Sequence, residues 1–386
     1  MNPLKAIFIL ENETPFSPAA GNIPAALVDV LGMSTVQRTL KTFSDMGITE
    51  MVLVAEKHLA GSKLLKEEAA KAKIVGADSS LIFRTAEQQF EEMAENTAHI
   101  FIVRLNAYFE LDWEKLIQHH TALCNKITRV VNGDQDDPRY LDVCLANATR
   151  RNDAAFMLRS GMQKSRTDCK PYVVEQGGVE YVNPLRHEAD LRALASDALN
   201  NFCRVQPVGK QARPGIWMHP TAQVDKQARL VAPVYVGRGT KICPGAVITR
   251  SSSVEHHTVV GNKTVVENAT LLPYTNLGPG LDVSHSVVGE RHIFNLQRNV
   301  CTPIQDPRLV SQAPASAGSR AATGVAKLFS RISGLVWRGA KEQAPEQTAA
   351  SPISYKKVFN NSAKNQPVEM PKVSPGLAVM RRYGNQ

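Results

Sequence analysis

His256 and His257 stand side by side between two aliphatic residues, Val254 and Val260. A neutral imidazole on a turn can serve as general base toward a hydroxyl or an amine, so this pair is the first candidate for chemistry, with His219 and His285 beside it. The plainer reading of such a pair is a solvent-facing turn. A second candidate is the run Asn132-Gly133-Asp134-Gln135-Asp136-Asp137-Pro138, whose three carboxylates suggest a metal loop. It lacks the alternating ligand order and closing glutamate of a calcium loop, and Asn-Gly and Asp-Pro are turn signals, so a solvated hairpin turn fits better. The six cysteines, Cys124, Cys144, Cys169, Cys203, Cys243 and Cys301, form no C-x-x-C pair and have no metal-like spacing. That pattern points to free thiols in a reducing compartment. No Ser-His-Asp or Cys-His nucleophile arrangement can be read from the linear order.

The histidine pair sits inside a longer periodicity. Val224, Leu230, Val236, Ile242, Ile248, Val254, Val260, Val266 and Leu272 recur at a spacing of six. Neither a helix nor a plain strand has that period. Two places before each anchor stands a small residue (Ala222, Ala228, Thr240, Ala246, Ser252, Thr258, Thr264, Thr270), Val234 being the largest. A chain that turns a corner every six residues closes one triangular coil in three sides, which predicts a parallel β-solenoid. The segment resembles the hexapeptide-repeat left-handed β-helix, whose aliphatic-Gly corner step is matched by Val236-Gly237 and Val260-Gly261. Such solenoids form the bodies of acyltransferases, where a coil histidine is the base; on that resemblance His256 and His257 become acyl-transfer candidates. They also occur as appended domains on sugar-nucleotide enzymes. Their long flat faces imply a homo-oligomer formed through the β-helix.

A chain of 386 residues has room for two or three domains. Up to residue 204, apolar strand-like runs (6–10, 51–54, 100–103) alternate with helix-like segments (35–46, 64–73, 113–123), the pattern of an α/β domain with a mostly parallel sheet. Residues 190–202 read as its closing helix. Pro207, Gly209, Pro214 and Gly215 mark 205–215 as a linker, the solenoid follows over 216–303, and residues 304–386 are too rich in Ala, Ser, Pro, Gln and Lys to bury a core. That tail holds 12 Lys and Arg against 4 Asp and Glu, eight of the chain's nine net positive charges. The folded part is close to neutral, which argues against a nucleic-acid-binding face. The N-terminal apolar run is too short for a signal or a membrane span, so the expected location is cytoplasmic.

Order and spacing over the first 300 residues resemble the sugar-1-phosphate nucleotidyltransferases that make NDP-sugars, whose Rossmann-like, GT-A-like domain is often followed by a left-handed β-helix. Residues 5–10 stand where the family has its first strand, and I-P-A-A-L-V-D-V-L-G-M-S at 23–34 follows its P-K-P-L-x-P-V-x-G-x-P stretch. Y-V-N-P at 181–184 and E-A-D-L at 188–191 are similar to its W-x-D-V-G-T-P-E-D-L element. The motifs that carry chemistry depart from the family. Where a glycine-rich loop and an arginine should wrap the triphosphate, this chain has Glu11 and Glu13 with two prolines. The phosphate-binding lysine falls on Ala25, and the two Mg²⁺ aspartates fall on Asn106 and Asn183. The resemblance therefore implies surface-polysaccharide metabolism and a catalytically degenerate homologue that binds a sugar nucleotide, or a partner enzyme, as scaffold or regulator. Alternatives are an active nucleotidyltransferase with a rebuilt site, which would use Mg²⁺, and a hexapeptide-repeat acyltransferase.

In the tail, apolar residues including Leu328, Phe329, Ile332 and Leu335 share one face of a helix predicted over 323–341, with Trp337 near the stripe and Arg331 and Arg338 supplying charge. Such a helix suits the anionic inner face of a membrane, a protein partner, or the chain's own β-helix. Gly324, Gly334 and Gly339 each cost about 1 kcal/mol against alanine, so binding must induce it.

Overall fold

The computed structural model describes residues 4–12, 16–21, 23–133, 139–163, 169–175 and 180–313. Strand β1 (Lys5–Leu10) is apolar throughout apart from its first residue, and all six side chains are buried. Its alternate residues enter different cores: Ala6, Phe8 and Leu10 face one layer, Ile7 and Ile9 the other. Burial on both faces is what a central strand of a parallel sheet requires. β1 lies between two parallel neighbours, β2 (Glu50–Glu56) and β4 (His99–Arg104), and β3 (Lys73–Ala77) extends the sheet beyond β2. Parallel neighbours need crossovers. Helix α1 (Thr35–Asp45) packs Val36, Leu40 and Phe43 on the first face, and α2 (Ile82–Met93) packs Ile82, Ala86 and Phe90 on the second. Ser34 caps α1 by accepting from the Gln37 N–H at 3.2 Å.

The sheet is mostly parallel, as the alternation of runs predicts, but its far half is mixed. After α3 (Trp113–Ala122), β5 (Ile127–Val131) returns through a short connection, with the Asn132 N–H donating to the Arg139 carbonyl at 2.9 Å. A connection that short can only join antiparallel strands. The strand it leads to, β6 (Tyr140–Asn147), is antiparallel to both β5 and β4, and β7 (Tyr172–Val173) pairs with β5, so the order is β7-β5-β6-β4-β1-β2-β3. Helix α5 (Glu188–Leu199), after α4 (Arg151–Arg159), closes the body.

Beyond it the chain visits three sheets in turn. Each residue pairs in parallel with the one 18 places on, as Tyr235 with Ser253, Lys241 with Val259 and Val247 with Val265. The six-residue anchors Val236, Ile242, Ile248, Val254, Val260 and Val266 fill the interior, whereas Val224 and Leu230, in the first turn, are only half-buried. The small residues before the anchors do more than fit. Thr240, Thr258 and Thr264 donate their hydroxyls to the Glu255, Leu272 and Gly278 carbonyls at 3.0, 3.0 and 2.7 Å.

The period then breaks. Ser253 pairs with Thr270, Val259 with Asn276 and Val265 with Asp282, so one residue has dropped out between Val266 and the next anchor. That anchor is Leu271, not Leu272, which turns outward into the apolar core of the α/β body. Parallel winding ends at Ser286–Gly289; the strands His292–Asn295 and Val300–Pro303 that follow are antiparallel. Two composition-based boundaries also shift. Residues 205–215 contain the strand Lys210–Arg213, paired with Ile216–Met218. Residues 304–313, assigned above to the tail, include Val310–Gln312, which pairs with Thr275–Leu277 and buries Val310 completely.

Coil and body share one apolar core through Tyr235, Leu272, Val287 and Phe294. At its centre Glu255, fully buried, accepts the Leu31 and Gly32 N–H groups at 2.8 and 2.9 Å. Nearby Arg192 donates to the Asn268 side chain at 2.6 Å. Among the described residues, no helix is long and apolar enough to cross a membrane.

Two outcomes follow for stability. Ile248→Ala, in the filled interior, should cost about 2–5 kcal/mol by chemical denaturation, and Val224→Ala, in the open first turn, about 1 kcal/mol or less. Burial, and then Asp29, push the Glu255 carboxyl up from 4.5 to about 8. The folded state therefore keeps a proton that the unfolded chain has released, and the contribution of Glu255 to stability falls as pH rises through that window. The unfolding free energy of the wild type minus that of Glu255→Gln should fall between about pH 5 and pH 8; a flat difference would contradict the assignment.

Candidate functional site

In an open α/β sheet the place to look is where successive crossovers leave toward opposite edges, beyond the carboxyl ends of the strands. Here the chain runs from β1 to β2 and β3 on one side, then returns to β4 on the other. The split between β1 and β4 opens into a cleft of about 530 Å³. Glu11, just past β1, and Asn106, just past β4, stand on its wall with Ala25, so three of the positions singled out by the resemblance do converge.

What fills the floor is an ionic chain that the sequence did not reveal. Arg104, the last residue of β4, pairs with Glu11, and its Nη1 lies 3.7 Å from the Asp142 carboxylate on β6. The Asn106 amide donates to that same Asp142 carboxylate. The guanidinium also lies 5.6 Å from the centre of the Phe83 ring. Arg104 was overlooked because it closes an apolar strand, and Asp142 because its strand runs antiparallel and brings it in from the opposite edge. Asn183 is not part of the floor. It is buried, its amide donates to the Asp190 carbonyl at 3.0 Å and accepts from the Leu185 N–H at 3.0 Å, and it is its neighbours Val182, Pro184, Leu185, Arg186 and His187 that face the cleft. Both ends of the amide are occupied.

The chemistry follows from the charges. Arg104, on the floor, is flanked by two largely buried carboxylates, so a polyphosphate would meet repulsion there, although Arg186 also lines the cleft. Among the described residues, no three His, Cys, Asp or Glu side chains converge as a metal site. Carboxylate and amide oxygens beside Phe16, Phe109 and Tyr140 suit a ligand with hydroxyl donors and an apolar face.

The histidine pair divides. His256, read above as a solvent-facing turn, is turned into the seam between coil and body, its Nδ1 2.8 Å from the Asp29 carboxylate. His257 occupies a coil corner with φ +56° and stacks on Tyr274, their centroids 5.3 Å apart. Burial, then His256 and Arg238, hold its pKa down at about 4, so it is neutral at physiological pH. His219 bonds to Thr221 and His285 to Asn268. Glu13 and the tail positions Leu328, Phe329, Arg331, Ile332, Leu335, Trp337 and Arg338 lie outside the described residues. All six cysteines are free thiols.

No family model matches the chain, and no curated protein matches it at a significant level. Arg104→Ala should cost about 1–3 kcal/mol of stability by removing a positive charge that Glu11 and Asp142 share. Adding Glu11→Ala should recover part of that loss in a double-mutant cycle; strict additivity of the two would break the ionic chain as described.

Proposed function

We propose that the chain is a nucleotidyltransferase-like protein of NDP-sugar metabolism that has given up nucleotidyl transfer, and that it binds a sugar nucleotide through hydroxyl groups while acting as a scaffold or regulator. The carrying observation is the Glu11–Arg104–Asp142–Asn106 chain, which occupies the floor where a triphosphate and its metal would have to sit. The position of the cleft at the switch between β1 and β4, and a three-sheeted coil following the body, support the resemblance to a nucleotidyltransferase with a left-handed β-helix. The internal satisfaction of Asn183 supports the loss of metal chemistry, because neither end of its amide is left for a cation.

The test is calorimetry on the full chain with nucleoside triphosphates and NDP-sugars, each with and without Mg²⁺, beside a turnover assay with a sugar 1-phosphate. Expected are no Mg²⁺-dependent triphosphate binding or turnover, and Mg²⁺-independent NDP-sugar binding that Asp142→Ala weakens about tenfold. Mg²⁺-dependent turnover lost on changing Asn106 would overturn the loss of catalysis. Absence of NDP-sugar binding would remove the ligand from the reading.

A further inference from the structure

Coil and body enclose a second cavity, of about 330 Å³, which shares no lining residue with the cleft. That volume falls within the range of small-molecule sites, about 300–1,000 Å³. Its most informative residue is Tyr235, on the coil strand Val234–Val236. The side chain is 1% exposed and lines the cavity, yet its hydroxyl has no hydrogen-bond partner among the described residues. Buried phenols normally find one. Space for this hydroxyl is made by Gly32, where φ is +86° and a Cβ would come within 2.2 Å of the phenol oxygen.

A second unsatisfied group lies on the same wall. Asp29 takes up Nδ1 of His256, which leaves Nε2 with no hydrogen-bond partner among the described residues. The remaining polar lining is rich in carboxyls, Asp29, Glu67, Glu68 and Glu290, beside the neutral Gln37, Tyr274 and Gln312 and the imidazole of His219, with Arg238 as the one Lys or Arg side chain among the described residues. Burial, with Asp29 beside Glu68, raises Glu68 and Glu290 each to about 7, so both are partly protonated near neutrality and a bound cation would favour their charged forms. Opposite the polar groups stand Ile23, Leu27, Leu272 and Pro273.

The ligand that completes this surface must bring positive charge for the carboxylates, hydroxyls for the phenol and the imidazole, and an apolar face for the aliphatic wall. An anionic ligand fits poorly, and no metal-ligand cluster exists among the described residues. We propose that the seam cavity is a binding site for a compact amino polyol of the amino-sugar class, with its ammonium among the carboxylates and its hydroxyls on Tyr235 and His256. Its lining and the chemistry it asks for are separate from those of the cleft.

The probe is glucosamine, with glucose as its neutral counterpart, measured by calorimetry on the full chain. Glucosamine should bind, and glucose should bind at least about tenfold more weakly. Tyr235→Phe keeps the shape of the side chain and deletes only the unpartnered hydroxyl, so it should unfold at an unchanged or higher temperature while losing about tenfold in glucosamine affinity. Glu290→Gln should narrow the gap between glucosamine and glucose. No glucosamine binding at millimolar concentration would overturn the proposal. So would equal binding of the two sugars, or full affinity in Tyr235→Phe.

Discussion

The carboxyl group of Glu255 is the fixed point of this molecule. It sits in a coil strand, has no contact with solvent, and accepts two backbone N–H groups from the turn at Leu31 and Gly32, more than 200 residues earlier in the chain. Those N–H groups belong to a segment with little regular structure of its own, two short 3₁₀ turns and a two-residue hairpin. An irregular segment can be buried only if its polar groups are answered. The coil answers them, and the segment in turn supplies Ala25 to the cleft and Asp29 to His256. Docking of the coil is thus part of what shapes the α/β body, and beside the coil's own interior the two share an apolar core.

The cleft shows how a binding site can keep its position and lose its chemistry. Sheet topology alone guarantees an opening between β1 and β4, whatever residues line it. Which ligand can enter is set by side chains, and here the arginine best placed to meet an anion is occupied by Glu11 and Asp142. The scaffold is one level of information and the charges are another.

Those two levels were unequally legible in the sequence. The six-residue repeat was plain because every corner imposes the same demand, an aliphatic residue inward and a small one before it. It could not disclose that the threonines tie successive coils through their hydroxyls. It also misassigned Leu272, because a missing residue at the Asn268 corner, φ +47°, shifts the next anchors, Leu271, Leu277 and Val283, by one. In the body, strands and helices up to β4 were readable from their apolar runs. β6 was not, since nothing local distinguishes an antiparallel strand from a parallel one, and with it Asp142 went unseen. Glu255, Asp29 and Tyr235 were invisible for a simpler reason: each matters only through partners that the linear order places far away.

One 3₁₀ turn stands between the two openings of the structure. Pro24 and Ala25 face the cleft, while Ile23, Leu27 and Val28 face the seam cavity. A partition one turn thick has no interior in which to absorb a displacement, so a shift on one surface is a shift on the other. If an occupant of either side prefers one setting of that turn, reciprocity requires the occupant of the opposite side to feel the same free-energy increment, with the sign decided by whether both prefer the same setting. Across so thin a wall such a coupling would need no relay of residues.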